Sequence, residues 1–129
     1  MLNICYFEKF KGVPTLLFAG SRTDMEKLFE FFRTWTGERV DIAEALGQGT
    51  EIRLGEVFKL VLDRSSSGPS SVAEMVGGIC EWRVSDSWKD VVAGLLQGLV
   101  ESESASHQYL DSGETGLQIL CTKDEYQST

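Results

Sequence analysis

The sequence predicts one α+β domain: a mainly antiparallel or mixed β-sheet with two amphipathic helices packed on one face. Three observations carry this. Segments 24–35 and 86–100 space their apolar residues at helical period. Several other short segments are apolar or alternating and are bounded by Gly, Pro or Ser, as strands are. The order β, β, α, an unassigned stretch, β, β, β, α, β has too few helices for a doubly wound parallel fold. At 129 residues, 42% of them hydrophobic, the chain suffices for one core and is short for two, so 1–129 reads as a single domain.

Residues 2–7 mix β-branched and aromatic side chains and read as a strand. Residues 9–12 form a turn, and 15–19, opened by Pro14, make a second strand and an N-terminal hairpin. Thr23 with Glu26 three residues on is a capping-box pattern. The helix it starts buries Met25, Leu28, Phe29, Phe32 and Trp35, with Phe31 at the flank, and stops at Gly37. Residues 38–46 fit both periods: Val40 and Ile42 alternate as in a strand, whereas Ile42, Ala45 and Leu46 repeat as in a helix. Residues 50–54 and 56–63 read as two strands around Gly55, or as one strand bulged there. The serine-rich stretch 64–71 reads as a mobile loop.

Residues 78–84 alternate, with Cys80, Trp82 and Val84 on one face. Ser85 or Asp86 caps the second helix, whose stripe is Trp88, Val91, Val92, Leu95, Leu96, Leu99 and Val100. Gly94 and Gly98 lie at the edge of that stripe, where close approach of another backbone would offset their helix cost of about 1 kcal/mol each. Residues 107–111 form a short amphipathic piece, 116–122 a last strand and 123–129 a polar tail. No internal repeat is visible.

Charge narrows the functions. Twelve basic against twenty acidic residues give a net charge of −8, which opposes binding to DNA or RNA. No apolar run approaches the roughly 20 residues a membrane helix needs. The N-terminus lacks a secretory pattern, and Cys5, Cys80 and Cys121 form no CxxC pair. The expectation is a cytoplasmic protein with three reduced, buried thiols.

His107, the lone histidine, has Asp111 four residues on, at helical spacing, and Cys121 as a conceivable nucleophile. Local packing at a helix end is the plainer reading, and Glu103, His107 and Asp111 lack the further nitrogen or sulfur ligands zinc takes. Residues 47–50 read GQGT, a turn without the lysine of a phosphate loop. No catalytic residue, metal or cofactor is assigned, and the chain reads as non-enzymatic.

The acids are more informative. Glu38, Asp41 and Glu44 recur every three residues and would form one negative stripe if that segment were helical. Glu101, Glu103, Asp111 and Glu114 follow, then Asp124 and Glu125 near the tail. These are either a solvated surface or a patch for a basic protein partner, with Glu38, Asp41, Glu44, Glu101, Glu103 and Asp111 as the candidate contacts. Trp35, Trp82 and Trp88 sit inside apolar stripes and read as core, with Trp82 and Trp88 packed together.

The stretch Cys80, Glu81, Trp82, Arg83, Val84, Ser85 leads into the long helix. It is followed by His107, Gln108, Tyr109, Leu110 and a closing strand into Lys123, Asp124, Glu125, Tyr126. Over the last third of the chain this resembles small bacterial α+β immunity proteins of polymorphic toxin systems. The resemblance implies a non-enzymatic bacterial protein that binds a partner protein, with no defined site residues. Two alternatives stand beside it. One is a homo-oligomeric module, such as a homodimer, joined through an uncovered sheet face at Val57, Val61 and Ile79. The other is a small enzyme or ligand-binding protein with a cleft near His107.

Overall fold

The computed structural model describes residues 1–47, 51–55, 59–65, 70–113 and 115–124. The class is α+β; among the described residues there are three helices and two five-stranded mixed sheets around a main core, with a small second cluster of Leu17, Ala19 and Leu120.

Strands β1 (Leu2–Phe10) and β2 (Val13–Gly20) form the expected hairpin. Its turn residues Lys11 and Gly12 have φ of 52° and 86°, the doubly left-handed pattern that matches strand twist. Helix α1 (Arg22–Thr34) is capped two residues before Thr23. Ser21 is the cap: its Oγ accepts from the Asp24 amide at 3.3 Å, and its own amide donates to Asp24 Oδ2 at 2.9 Å. A Cβ on Gly20 would stand 2.6 Å from that oxygen, so glycine there leaves room for the reciprocal pair.

The ambiguous stretch is both things in turn. Strand β3 (Arg39–Asp41) ends on Asp41, whose Oδ1 accepts from Ala43 N at 2.9 Å and starts helix α2 (Ile42–Leu46). Strands β4 (Ile52–Leu54) and β5 (Lys59–Ser65) follow. A continuous strand bulged at Gly55 would run through 56–58, which lie outside the described residues. The loop expected over 64–71 is shorter: Arg64 belongs to β5, Ser71 opens β6 (Ser71–Val76), and 66–69 lie outside the described residues. Strand β7 (Ile79–Ser85) then leads into α3 (Asp86–Glu101), capped by Ser85.

His107 sits on a strand, β8 (Ser106–Tyr109), and not on a helix. Strands β9 (Thr115–Gly116) and β10 (Gln118–Lys123) close the chain. Lys123, expected in a polar tail, is a buried strand residue; 125–129 lie outside the described residues.

The sheet orders are β4-β1-β2-β10-β8 and β3-β5-β7-β6-β9. Reversing the second gives β9-β6-β7-β5-β3, and each strand then has a counterpart of the same direction in the first. The pairings β1/β2 and β6/β7 are antiparallel, β2/β10 and β7/β5 parallel, β1/β4 and β6/β9 parallel, β10/β8 and β5/β3 antiparallel. Register agrees: Ile119 and Cys121 face Leu16 and Phe18, as Leu60 and Leu62 face Cys80 and Trp82. The second hairpin turns at Gly77 and Gly78 with φ of 59° and 86°, repeating the first.

The chain is therefore two interlocked repeats, β1 to β5 and β6 to β10, which corrects the expectation of none. Each hairpin is followed by a serine-capped helix, and β3 and β5 cross into the sheet of the second repeat as β8 and β10 cross into that of the first. The repeat lives in the burial pattern and not in residue identity. Phe18 and Trp82 occupy equivalent places, their rings 6.3 Å apart, and Leu28, Phe32 and Trp35 match Val92, Leu96 and Leu99 by spacing from the cap. Trp82 also meets Phe32 at 5.5 Å and donates from Nε1 to Ser71 Oγ at 2.7 Å. Its neighbours are thus Phe18 and Phe32, while Trp88 donates its Nε1–H to the Leu110 carbonyl at 2.9 Å.

The helix ends repeat too. Arg64 on β5 donates to the Trp35 and Thr36 carbonyls at 3.0 and 2.6 Å, past the end of α1. Lys123, its counterpart on β10, donates to the carbonyl of Ser102, which caps α3. A cation at each helix C-terminus satisfies carbonyls that have no amide partner within the helix. Gly94 and Gly98 need a different account from the expected one: an added Cβ would meet nothing within 4 Å at either, so no backbone approaches them.

Candidate functional site

The six acids selected from the sequence do not act as one surface. Glu38, Asp41 and Glu44 are not one helical stripe, because β3 ends and α2 begins at Asp41. Asp41 is engaged in capping. Glu38 and Glu44 are exposed, and the Glu38 carbonyl accepts from Arg64 N at 2.6 Å. Glu101 ends α3 and accepts from Gln97 Nε2 at 3.2 Å; Glu103 is exposed just beyond. Asp111 builds a turn: Oδ1 accepts from Ile119 N at 2.9 Å and Oδ2 from Gly113 N at 3.1 Å. Glu114 and Glu125 lie outside the described residues.

His107 and its suggested partners are separated. On β8 its side chain is exposed and packs edge-on against Tyr109, with ring centres 5.9 Å apart. It pairs across the sheet with Thr122, so the next residue, Cys121, points to the opposite, buried face. There the Cys121 thiol donates to Met25 Sδ at 3.3 Å, and burial raises its pKa well above the ordinary value. Burial, with a smaller contribution from Glu81, pushes the Cys80 thiol up to about 12. Neither is a thiolate near neutral pH. Cys5 differs from the expectation of three buried thiols, being only half-buried. Among the described residues no three His, Cys, Asp or Glu side chains converge as a metal site would require, and no helix is long and apolar enough to cross a membrane.

The arrangement with the shape of a binding site is a groove of about 460 Å³ between α1 and α2. Its α1 wall is Lys27, Glu30, Phe31 and Thr34, residues at i, i+3, i+4 and i+7 on a face turned from the core stripe, with Glu26 beside them. Ala45 and Leu46 of α2 form the other wall. The floor is apolar and stiff: the Phe31 ring stacks on Trp35 at 5.4 Å and meets Phe32 edge-on at 5.2 Å. The charged lining is Glu26 and Glu30 with Lys27 between them. Glu26 is exposed, and Glu30 is gripped by the Arg33 guanidinium at 2.6–3.2 Å. That contact raises the Arg33 pKa, first through the hydrogen bond and then through the charge of Glu30.

Helix α2 is what makes the groove, and among the described residues it has no counterpart between β8 and β9 of the second repeat. The sequence carried two hints, Phe31 beside the core stripe and the helical phase of Ile42, Ala45 and Leu46. It held no sign that these segments meet.

The sheet face suggested for self-association carries ion pairs. Around the buried Val61, Arg39 pairs with Asp63 at 3.2 Å and Glu81 at 3.3 Å, and Arg83 lies 3.7 Å from Glu74 and 4.0 Å from Glu81. Ile79 is exposed at its edge, and Val57 lies outside the described residues. No family model, curated protein or solved structure matches this chain.

Proposed function

We propose that this chain is a non-enzymatic protein-binding domain that receives an apolar segment with flanking basic residues in the α1–α2 groove. In its most concrete form it is an immunity or inhibitor protein that neutralises a basic toxin in the bacterial cytoplasm. The acid-rimmed apolar groove carries the reading, because it joins an aromatic floor to carboxylates in a chain of net charge −8. The floor supplies apolar burial for an anchoring side chain. The rim steers a cationic partner and discriminates against acidic ones. None of the six acids chosen from the sequence lines this groove; its carboxylates are Glu26 and Glu30.

The test compares wild type with a Glu26→Lys/Glu30→Lys variant in pull-downs from the native lysate at low and high salt. The expected result is one basic protein, held by wild type at low salt, released at high salt and lost by the variant. Equal retention by both proteins would remove the groove from the interaction.

A further inference from the structure

We propose that a recess on the outer face of the β4-β1-β2-β10-β8 sheet is a site for a small apolar carboxylate. The carboxylate sits on Arg53 and Asn3, and the apolar body lies among Phe7, Phe10, Leu17 and Ala19. These residues and Cys5 line a concavity of about 280 Å³.

Sheet register grades the lining from a polar end to an apolar one. Asn3 pairs with Arg53 on one side and Ala19 on the other. Cys5 pairs with Leu17, and Phe7 with Thr15. Residues two apart on a strand share a face, so Asn3, Cys5 and Phe7 point away from the core that receives Leu2 and Ile4. Asn3 and Phe7 stand about 13 Å apart along β1. Beyond Phe7 the register shifts, which brings the Phe10 ring to 5.8 Å from that of Phe7. The floor is closed, because Leu17, Ala19 and Leu120 are buried with Phe10 packed against them. A recess with a closed floor and aromatic walls suits a small molecule, which enters where a protein surface cannot.

Charge gives the class of ligand. Arg22 donates to the Ser102 carbonyl, Arg33 holds Glu30, Arg39 pairs with Asp63, Arg64 donates to carbonyls past α1, and Arg83 lies beside Glu74. Among the described residues Arg53 is the one arginine with no hydrogen-bond or ion-pair partner, and the neighbouring Asn3 side-chain amide has none either. In a chain with twenty acidic residues, the guanidinium left open is the one at the recess, and no carboxylate lines that recess. A guanidinium meets a carboxylate through two parallel hydrogen bonds, and the Asn3 amide supplies a further donor. The apolar body displaces water from the phenyl rings and from Leu17 and Ala19.

Size bounds the ligand. At about 30 Å³ per molecule of liquid water, the recess holds about nine waters, the bulk of roughly ten non-hydrogen atoms. Hydrocinnamate, a phenyl ring on a short chain ending in a carboxylate, has that size.

The test titrates hydrocinnamate into isotope-labelled protein and follows amide resonances. Saturable shifts are expected at Asn3, Cys5, Ala19 and Arg53, with a Kd of about 0.1–1 mM, the strength a ligand this small reaches. The neutral hydrocinnamamide is expected to bind about tenfold more weakly or worse, because it cannot form the charged pair. Arg53→Gln, at an exposed position, is expected to lose the same factor with unchanged circular dichroism, and Arg53→Lys to recover part of it. The acid should also protect the Cys5 thiol from maleimide. Absence of saturable shifts at these amides, equal affinity for acid and amide, an unprotected Cys5, or an Arg53→Gln variant that binds like wild type would each overturn the proposal. Should that variant fail to fold, the comparison of acid with amide on wild type decides alone. None of these readouts involves the α1–α2 groove, so the two readings fail separately.

Discussion

Replacing Gly94 and Gly98 by alanine should make this protein more stable, against the usual sign of a substitution in a helix that packs on a core. Both residues lie in α3 and are exposed, and neither has positive φ. An added methyl group meets nothing within 4 Å at either position, so there is no steric cost. What remains is the backbone entropy that glycine loses on folding. Alanine at Gly94, in the helix interior, recovers about 1 kcal/mol. Gly98 lies in the last turn, where less order is imposed, so about 0.5 kcal/mol is expected. The sites share no partner, and the gains should add to about 1–2 kcal/mol. Urea denaturation followed by far-UV circular dichroism should show a higher midpoint at constant m-value, with melting raised by roughly 3–8 °C. A loss of stability in Gly94→Ala would refute the reasoning, because it would require a neighbour against Gly94 itself.

Three further outcomes follow from the same geometry. Ser21→Ala should cost about 1 kcal/mol while Thr23→Ala costs almost nothing, and equal losses in urea melts would move the cap of α1 back to the sequence-derived place. Ser71→Ala should cost about 1–3 kcal/mol by orphaning the Trp82 indole N–H, and it should cost far less in a Trp82→Phe background; additive losses in that double-mutant cycle would deny the hydrogen bond. Because burial raises the Cys80 pKa from 9.0 to about 12 and also raises that of Cys121, the unfolded chain releases these protons first as pH rises. Stability should therefore be level with respect to the thiols below about pH 9 and fall above it by about 1 kcal/mol per pH unit per thiol. One thiol per native chain, Cys5, should react with Ellman's reagent at pH 8; three would contradict the burial.

The sequence alone determined whatever depends on neighbours along the chain. The first hairpin, the stripe of α1, the long stripe of α3 and the alternation of Cys80, Trp82 and Val84 were readable because helix and strand periods are local and each stripe names its own buried face. The cap of α1 was misplaced by two residues because Ser21–Asp24 and Thr23–Glu26 present similar patterns, and only the backbone angle at Ser21 separates them. Residues 38–46 resisted assignment because a three-residue strand and a five-residue helix are each shorter than the window a period needs.

Tertiary structure decided what depends on which segments meet. Any apolar strand face satisfies another, so nothing along the chain says that β5 and β10 exchange sheets. The repeat escaped notice because packing requires apolar volume and not identity, and Phe18 with Trp82, or Phe32 with Leu96, meets that requirement equally. His107 and Cys121 looked like partners until the pleat of β8 and β10 set them on opposite faces. The groove exists because α2 folds beside α1. Side-chain period is a property of the chain, whereas the choice of neighbour is made by burial and charge summed over the whole molecule.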